Sequence, residues 1–235
     1  MSQKPFRIAY CAGHDMNTAG KRVPKELDKQ QTREWQLNDR IARYFLEAAL
    51  EYGDVELLRT DDPTGMTSIE IKDRAQKANT WGADLYLDFH HNAGINLGKG
   101  GGVVAVSKKK DAAGKAYRDA IYAAVVAAGG LRGNRSNPTY EKNFKTMQYA
   151  KMPAVIVEFG FMDSKTDYPV IATEDYAKTV AYAAMEAVAQ VAGLRKRATR
   201  YRVQVGCFSE KENALRLREQ LKNAGFDAII KEETL

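Results

Sequence analysis

The chain has 235 residues, a formal net charge of +6, 44% hydrophobic residues and 28% charged residues. Those proportions suit a folded globular protein, as one sizeable domain or one plus a small appendage. They exclude collagen, a disordered tail and a disulfide scaffold. No run of about 18 apolar residues occurs, so no membrane insertion is expected. The N-terminus runs straight into a strand-like pattern and lacks the apolar stretch of a secretion signal. Cys11 and Cys207 stand far apart and read as free thiols in a reducing compartment, each most simply a small buried hydrophobe.

Phe6 to Ala12 is short and apolar and ends at Gly13. Glu34 to Tyr52 places Leu37, Ile41 and Phe45 at helical spacing. Asp54 to Leu58 predicts a strand, Ser68 to Asn79 a polar helix, and Leu85 to Phe89 a strand that ends at His90-His91-Asn92. Gly101 to Val106 predicts another strand. Ala112 to Ala128 is an Ala-rich helix closed by Gly129-Gly130. Residues 131–148 are polar and weakly periodic and read as a surface loop. Ala154 to Val157 predicts a buried strand and Tyr176 to Val191 a long final helix. This alternation predicts an α/β fold with a mainly parallel sheet covered by helices.

A short basic linker, residues 194–200, leads to a second pattern. Tyr201 to Val205 alternates, Ser209 to Asn223 is amphipathic, and Asp227 to Ile230 is strand-like. A βαβ unit of about forty residues cannot easily bury its own core. Residues 195–235 hold ten Lys and Arg against six Asp and Glu, which is +4 of the total charge. A basic tail suits an anionic polymer, nucleic acid or cell wall, without choosing between them.

His14, His90 and His91 are the only histidines. All sit at the carboxyl ends of predicted strands, the edge at which open α/β sheets bind ligands. Glu158 ends the strand that begins at Ala154. Glu34 shares the helix face of Leu37, Asn38 and Ile41, which points toward the sheet. A carboxylate there needs a partner, because unpaired buried charge is costly. It could serve as a helix cap. A metal held with His14 and His90 would satisfy it better. Two His and one Glu form a catalytic zinc set with a fourth position left for water. Glu158 could then take the water's proton. The plainer reading of each histidine is a satisfied core residue. That reading, or a role in orienting a ligand, is favoured for His91, whereas His14 and His90 read as ligands.

Four segments in this order resemble one family: Gly13-His14, Glu34 with Asn38, Asp88-Phe89-His90-His91-Asn92-Ala93, and Pro153 through Phe161. They are similar to the zinc-dependent N-acetylmuramoyl-L-alanine amidases of the type-3 family. Arg59, and Arg74 with Ala78-Asn79, fit the same pattern. The resemblance spans residues 5–192. It implies a twisted sheet of about six strands with helices on both faces. It implies Zn2+ bound by His14, Glu34 and His90, with Glu158 as the catalytic carboxylate. The implied substrate is peptidoglycan, cut between the lactyl group of N-acetylmuramic acid and L-alanine. Asn92 would orient the site or the substrate. Asp88 and His91 depart from the family, which usually has Ser and a small residue there; the extra carboxylate could orient a ligand imidazole or compete for zinc. Asp15 to Gly20 lacks the family's Gly-Gly-x-Asp-x-Gly run, so substrate contacts there would differ.

The tail resembles the first half of the sporulation-related (SPOR) repeat, a peptidoglycan-binding module. The expected division is a catalytic domain at 1–193, a linker at 194–200 and a half-module at 201–235. Two chains could complete one module as a homodimer. Without a signal peptide, the enzyme would be made in the cytoplasm and reach the wall on phage lysis, as an endolysin, or on mother-cell lysis. The competing functions are a zinc peptidase or deacetylase on a small substrate, and a non-catalytic wall-binding protein. Nucleic-acid binding ranks last, since no aromatic-studded basic stretch supports it.

Overall fold

Residue alternation along the central strands feeds two separate cores. The computed structural model describes residues 4–198 and 203–233. The chain runs β1 (Phe6–Ala12), α1 (Glu34–Ala49), β2 (Val55–Arg59), α2 (Ile71–Trp81), β3 (Leu85–Asn92) and β4 (Val104–Ser107). It continues through α3 (Ala112–Gly129), β5 (Thr139–Glu141), α4 (Lys145–Tyr149), β6 (Ala154–Phe161), α5 (Tyr168–Ile171) and α6 (Glu174–Ala192). The six strands form one sheet in the order β2-β1-β3-β6-β4-β5. Every pair is parallel except β4 with β6, so the expected mostly parallel six-stranded α/β sheet is present.

Ile8, Tyr10, Leu87, Phe89, Val155 and Val157 point to one face, where α1, α3 and α6 cover them. Ala9, Cys11, Tyr86 and Ile156 point to the other, against Ala78 of α2 and Met147 of α4. Covering both faces makes the central strands apolar almost without interruption, as buried parallel strands require. Each fully buried Val, Leu, Ile, Phe or Met among them contributes about 1.5–3 kcal/mol.

The helix ends follow from local chemistry. Asp111 accepts the Gly114 amide at the start of α3, and Thr173 accepts the Tyr176 amide at the start of α6. Gly130 and Gly193 close the same helices at φ 72° and 70°, the left-handed cap that glycine adopts without penalty.

Residues 131–148 are not a plain loop. They contain β5, which adds parallel to β4 at the sheet edge, and α4, whose Met147 is buried. Three- and five-residue elements have too little periodicity to stand out in a sequence.

The chain separates into two units, Met1–Arg197 and Ala198–Leu235. Within the second unit, α7 (Lys211–Asn223) forms and has no buried residue. The expected strands do not form at 203–205 or 227–230, and residues 201–202 lie outside the described residues. An isolated short strand has no partner for its backbone groups. Cys11 is buried as expected, but Cys207 is exposed.

Candidate active site

Because β1, β3 and β6 are parallel neighbours, their carboxyl ends meet at one edge. His14 follows the end of β1, and His90 lies opposite Glu158 in the β3–β6 register. Glu34, in the first turn of α1, reaches over this edge. Its Oε1 lies 3.0 Å from His90 Nδ1 and 3.4 Å from His14 Nε2. One donor atom from each of His14, Glu34 and His90 lies within 4.8 Å of the other two. Two ligands on a tetrahedral zinc ion stand about 3.4 Å apart, so the cluster has the right span.

The backbone around His14 is held in an unusual state. His14 has φ 66°, a left-handed conformation that costs a non-glycine residue about 1–2 kcal/mol. Three anchors impose it. Arg74 donates to the carbonyls of Ala12 at 3.0 Å and His14 at 2.9 Å. Asn38 Nδ2 donates to the Gly13 carbonyl at 3.0 Å, and the Gly13 amide donates to the Phe89 carbonyl at 2.8 Å. Gly13 is needed for space. A Cβ there would stand 2.1 Å from the His90 ring.

Asp88 lies behind His90. Its Oδ1 is 3.1 Å from His90 Nε2 and accepts the Cys11 thiol at 3.0 Å. Its Oδ2 accepts the Thr146 hydroxyl at 2.8 Å. Both oxygens are therefore in use, and Nδ1 of His90 is the ring nitrogen that faces Glu34. His91 is buried on the opposite sheet face, where its Nδ1 donates to Asn38 Oδ1 at 2.8 Å and its Nε2 has no partner. Asn38 thus touches both strand ends. The side-chain oxygen of Asn92 accepts the Ala93 amide, a local turn bond. Asn79 ties α2 to the chain entering β6, through the Tyr149 carbonyl and the Lys151 amide. Arg59 pairs with Asp39 and Asp61.

The electrostatics separate the groups. Burial pushes the Glu34 carboxyl up, but the His90 hydrogen bond and charge override it and hold it down at about 2. Burial lowers His14 to about 4. Burial also works against protonation of His90, yet the charge and hydrogen bond of Asp88 raise its pKa well above the usual value. Burial raises Glu158 to about 7, and its Oε2 has no hydrogen-bond partner. Lys21 Nζ lies 3.4 Å from Glu34 Oε2, an oxygen that likewise lacks a hydrogen bond.

Sequence reasoning identified the four residues that gather here, and missed what holds them. The clamp of Arg74 on His14, the Thr146 and Cys11 bonds to Asp88, and the position of Lys21 had no readable signal beyond Arg74's place in the motif pattern.

An imidazole–carboxylate–imidazole donor set, beside a strand end that carries a carboxylate able to hold a proton near neutrality, defines the class of metal-dependent hydrolases. The N-acetylmuramoyl-L-alanine amidase family profile matches residues 8–190, and the SPOR domain profile matches residues 172–232. The sporulation-specific N-acetylmuramoyl-L-alanine amidase of Bacillus subtilis (strain 168) is 31% identical over 185 residues, covering 77% of this chain and 68% of that protein. The endolysin of Bacillus phage SPP1 is 29% identical over 134 residues, covering 54% of this chain and 47% of that one. In fold, the chain is similar to the crystal structure of N-acetylmuramoyl-L-alanine amidase from Clostridium difficile 630. The TM-score is 0.72 at 23% identity, covering 81% of this chain and 98% of that one.

The chain belongs to the N-acetylmuramoyl-L-alanine amidase family and carries a C-terminal SPOR domain. It is a peptidoglycan hydrolase of that family, which is zinc-dependent, and the His–Glu–His set is present. No helix among the described residues is long and apolar enough to cross a membrane.

Proposed function

We propose that His14, Glu34 and His90 hold the zinc ion and that Glu158 is the catalytic carboxylate. Together they would cleave the amide between the lactyl group of N-acetylmuramic acid and L-alanine. The observation that carries this reading is the pairing of His90 with Glu158 across β3 and β6, beside the three-donor cluster. The donor set fits zinc in type, number and span. When bound, zinc polarises a carbonyl oxygen and acidifies a water molecule.

The chain's own residues do the rest. Glu158 accepts a proton from the attacking water as the water oxygen bonds to the lactyl carbonyl carbon. It then gives that proton to the L-alanine nitrogen as the carbon–nitrogen bond breaks. A pKa of about 7 lets one group serve in both directions. Asp88 accepts from Nε2 of His90 and leaves Nδ1 free for the metal. Asn38 and His91 hold the ligand-bearing strand ends, and Asn92 orients the substrate at the rim.

In this reading residues 1–193 are the catalytic domain, 194–200 the basic linker and 201–235 a wall-binding half-module. Exposed Val205, Phe208, Phe226 and Ile229 in that half-module give a second copy apolar surface to cover. A light-scattering mass of a dimer would bear this out; a clean monomer that still binds sacculi would end it. The enzyme acts in lysis, as an endolysin or as a mother-cell amidase. Similarity to a phage endolysin and to a sporulation-specific amidase supports that setting.

Zymography on purified sacculi, with and without a chelator, tests the proposal. Clearing that a chelator abolishes and zinc restores supports it. Chelator-resistant clearing would refute the metal reading, and no clearing at all would favour a non-catalytic wall-binding protein.

A further inference from the structure

Residues 100–103, which lead into β4, pack against residues 131–135, which follow α3, and neither stretch takes part in the chemistry above. Gly100, Gly101 and Gly102 have φ of 96°, 120° and 88°. A Cβ on Gly102 would lie 2.5 Å from the Arg132 carbonyl oxygen, and one on Gly133 2.0 Å from that of Gly101. Only bare backbones nest this closely. The Val103 amide donates to the Leu131 carbonyl at 2.9 Å, and the Gly101 amide to Asn134 Oδ1 at 3.0 Å. These bonds fix the residue that follows, Arg135.

Arg135 lies over the Phe161 ring, its guanidinium carbon 5.0 Å from the centroid. It borders an open cleft of about 300 Å³ lined by residues 134–137. Among the described residues no carboxylate pairs with it. Phe161 connects this cleft to the site. Between the pairs His90–Glu158 and Asn92–Phe161, β6 has one residue more than β3. The bulge holds Gly160 at φ 138° and returns Phe161 to the face of Ile156 and Glu158. Three residues of strand separate Glu158 from Phe161 by roughly 10 Å. Tyr140, on β5 one strand beyond β4, is close enough to feel both charges: burial raises its phenol most, Glu158 raises it further and Arg135 lowers it.

A stacked guanidinium keeps its donor fork free for a carboxylate. The stem residue that follows L-alanine is a γ-linked D-glutamate, whose α-carboxyl is free in some cell walls and amidated in others. At no more than ~3.6 Å of chain per residue, that carboxyl lies at most about 7 Å from the scissile amide, and the Arg135 side chain must span the rest. We propose that Arg135, seated on Phe161, reads this free carboxylate and makes the enzyme prefer peptidoglycan in which it is not amidated. This rests on the amidase reading of the site.

The test compares two soluble muramyl peptides, identical except for D-isoglutamate or D-isoglutamine after L-alanine, with the full zinc-loaded chain. The expected result is a kcat/KM about tenfold higher for the free acid. In Arg135→Met the ratio between the two substrates collapses toward one, chiefly through KM. Equal kcat/KM for the two substrates in the parent protein would overturn the proposal. So would an Arg135→Met variant that slows both alike and keeps the ratio. If the parent releases no L-alanine amino terminus from either peptide, the amidase reading fails, and this inference falls with it.

Discussion

The Nε2 atom of His90 lies 3.1 Å from Oδ1 of Asp88, on the side of the ring opposite the nitrogen that faces Glu34. Asp88 is itself fixed by the Cys11 thiol and the Thr146 hydroxyl. A carboxylate placed this way sets the tautomer and angle of a ligand imidazole. Replacing Asp88 with Ser should keep the fold and weaken zinc binding about 10–100-fold, measured by competition with a chelator. Unchanged affinity would show that His90 is oriented without it.

Gly13 gives a steric prediction. Its missing Cβ is what lets the His90 ring lie across the end of β1. Gly13→Ala should displace the ring and sharply lower zinc stoichiometry, with a stability loss of about 1–3 kcal/mol. Full zinc occupancy in a stably folded Gly13→Ala protein would contradict this placement of His90.

Glu158→Gln separates binding from chemistry. The amide is nearly isosteric but cannot take a proton from water. Zinc content should stay at the parent level while kcat falls by about 10²–10⁴-fold. Appreciable residual cleavage would remove Glu158 from its role.

His91 makes stability depend on pH. Burial is the main cause that lowers its pKa from 6.5 to about 3. Below pH 6.5 the unfolded chain binds a proton there that the folded chain refuses. Stability is therefore lost as pH falls from about 6.5 toward 3, by on the order of a few kcal/mol. His91→Leu should flatten that part of the profile in denaturant melts at pH 7 and pH 4.5. An unchanged slope would assign the acid sensitivity elsewhere.

Removing residues 198–235 tests the tail. The first unit keeps α6, which packs with α1 and α3 in one core. The shortened protein should remain folded and bind sacculi less in pelleting assays. Equal pelleting would mean that the SPOR segment does not tether the enzyme.

The sheet was legible because Ile8, Leu87 and Val157 lie in apolar runs closed by Gly or by polar residues. The site was legible because strand ends in a parallel sheet converge, so His14, His90 and Glu158 had one place to meet. What stayed hidden was short or tertiary. β5 and α4 draw their stability from the edge of β4 and from the burial of Met147, neither of which has a local pattern. Of the strands expected in the tail, 201–205 alternates and 227–230 is apolar at Ile229 and Ile230, yet neither pattern supplies a neighbouring strand. Arg74 and Thr146 act through backbone and carboxylate partners 58 to 62 residues away, a separation that no spacing rule reveals.

The most direct test of the account is zinc content measured together with product analysis on purified peptidoglycan. It predicts one zinc per chain and new L-alanine amino termini, with no new reducing sugar ends. Cleavage by metal-free protein, or reducing ends in place of L-alanine termini, would contradict it.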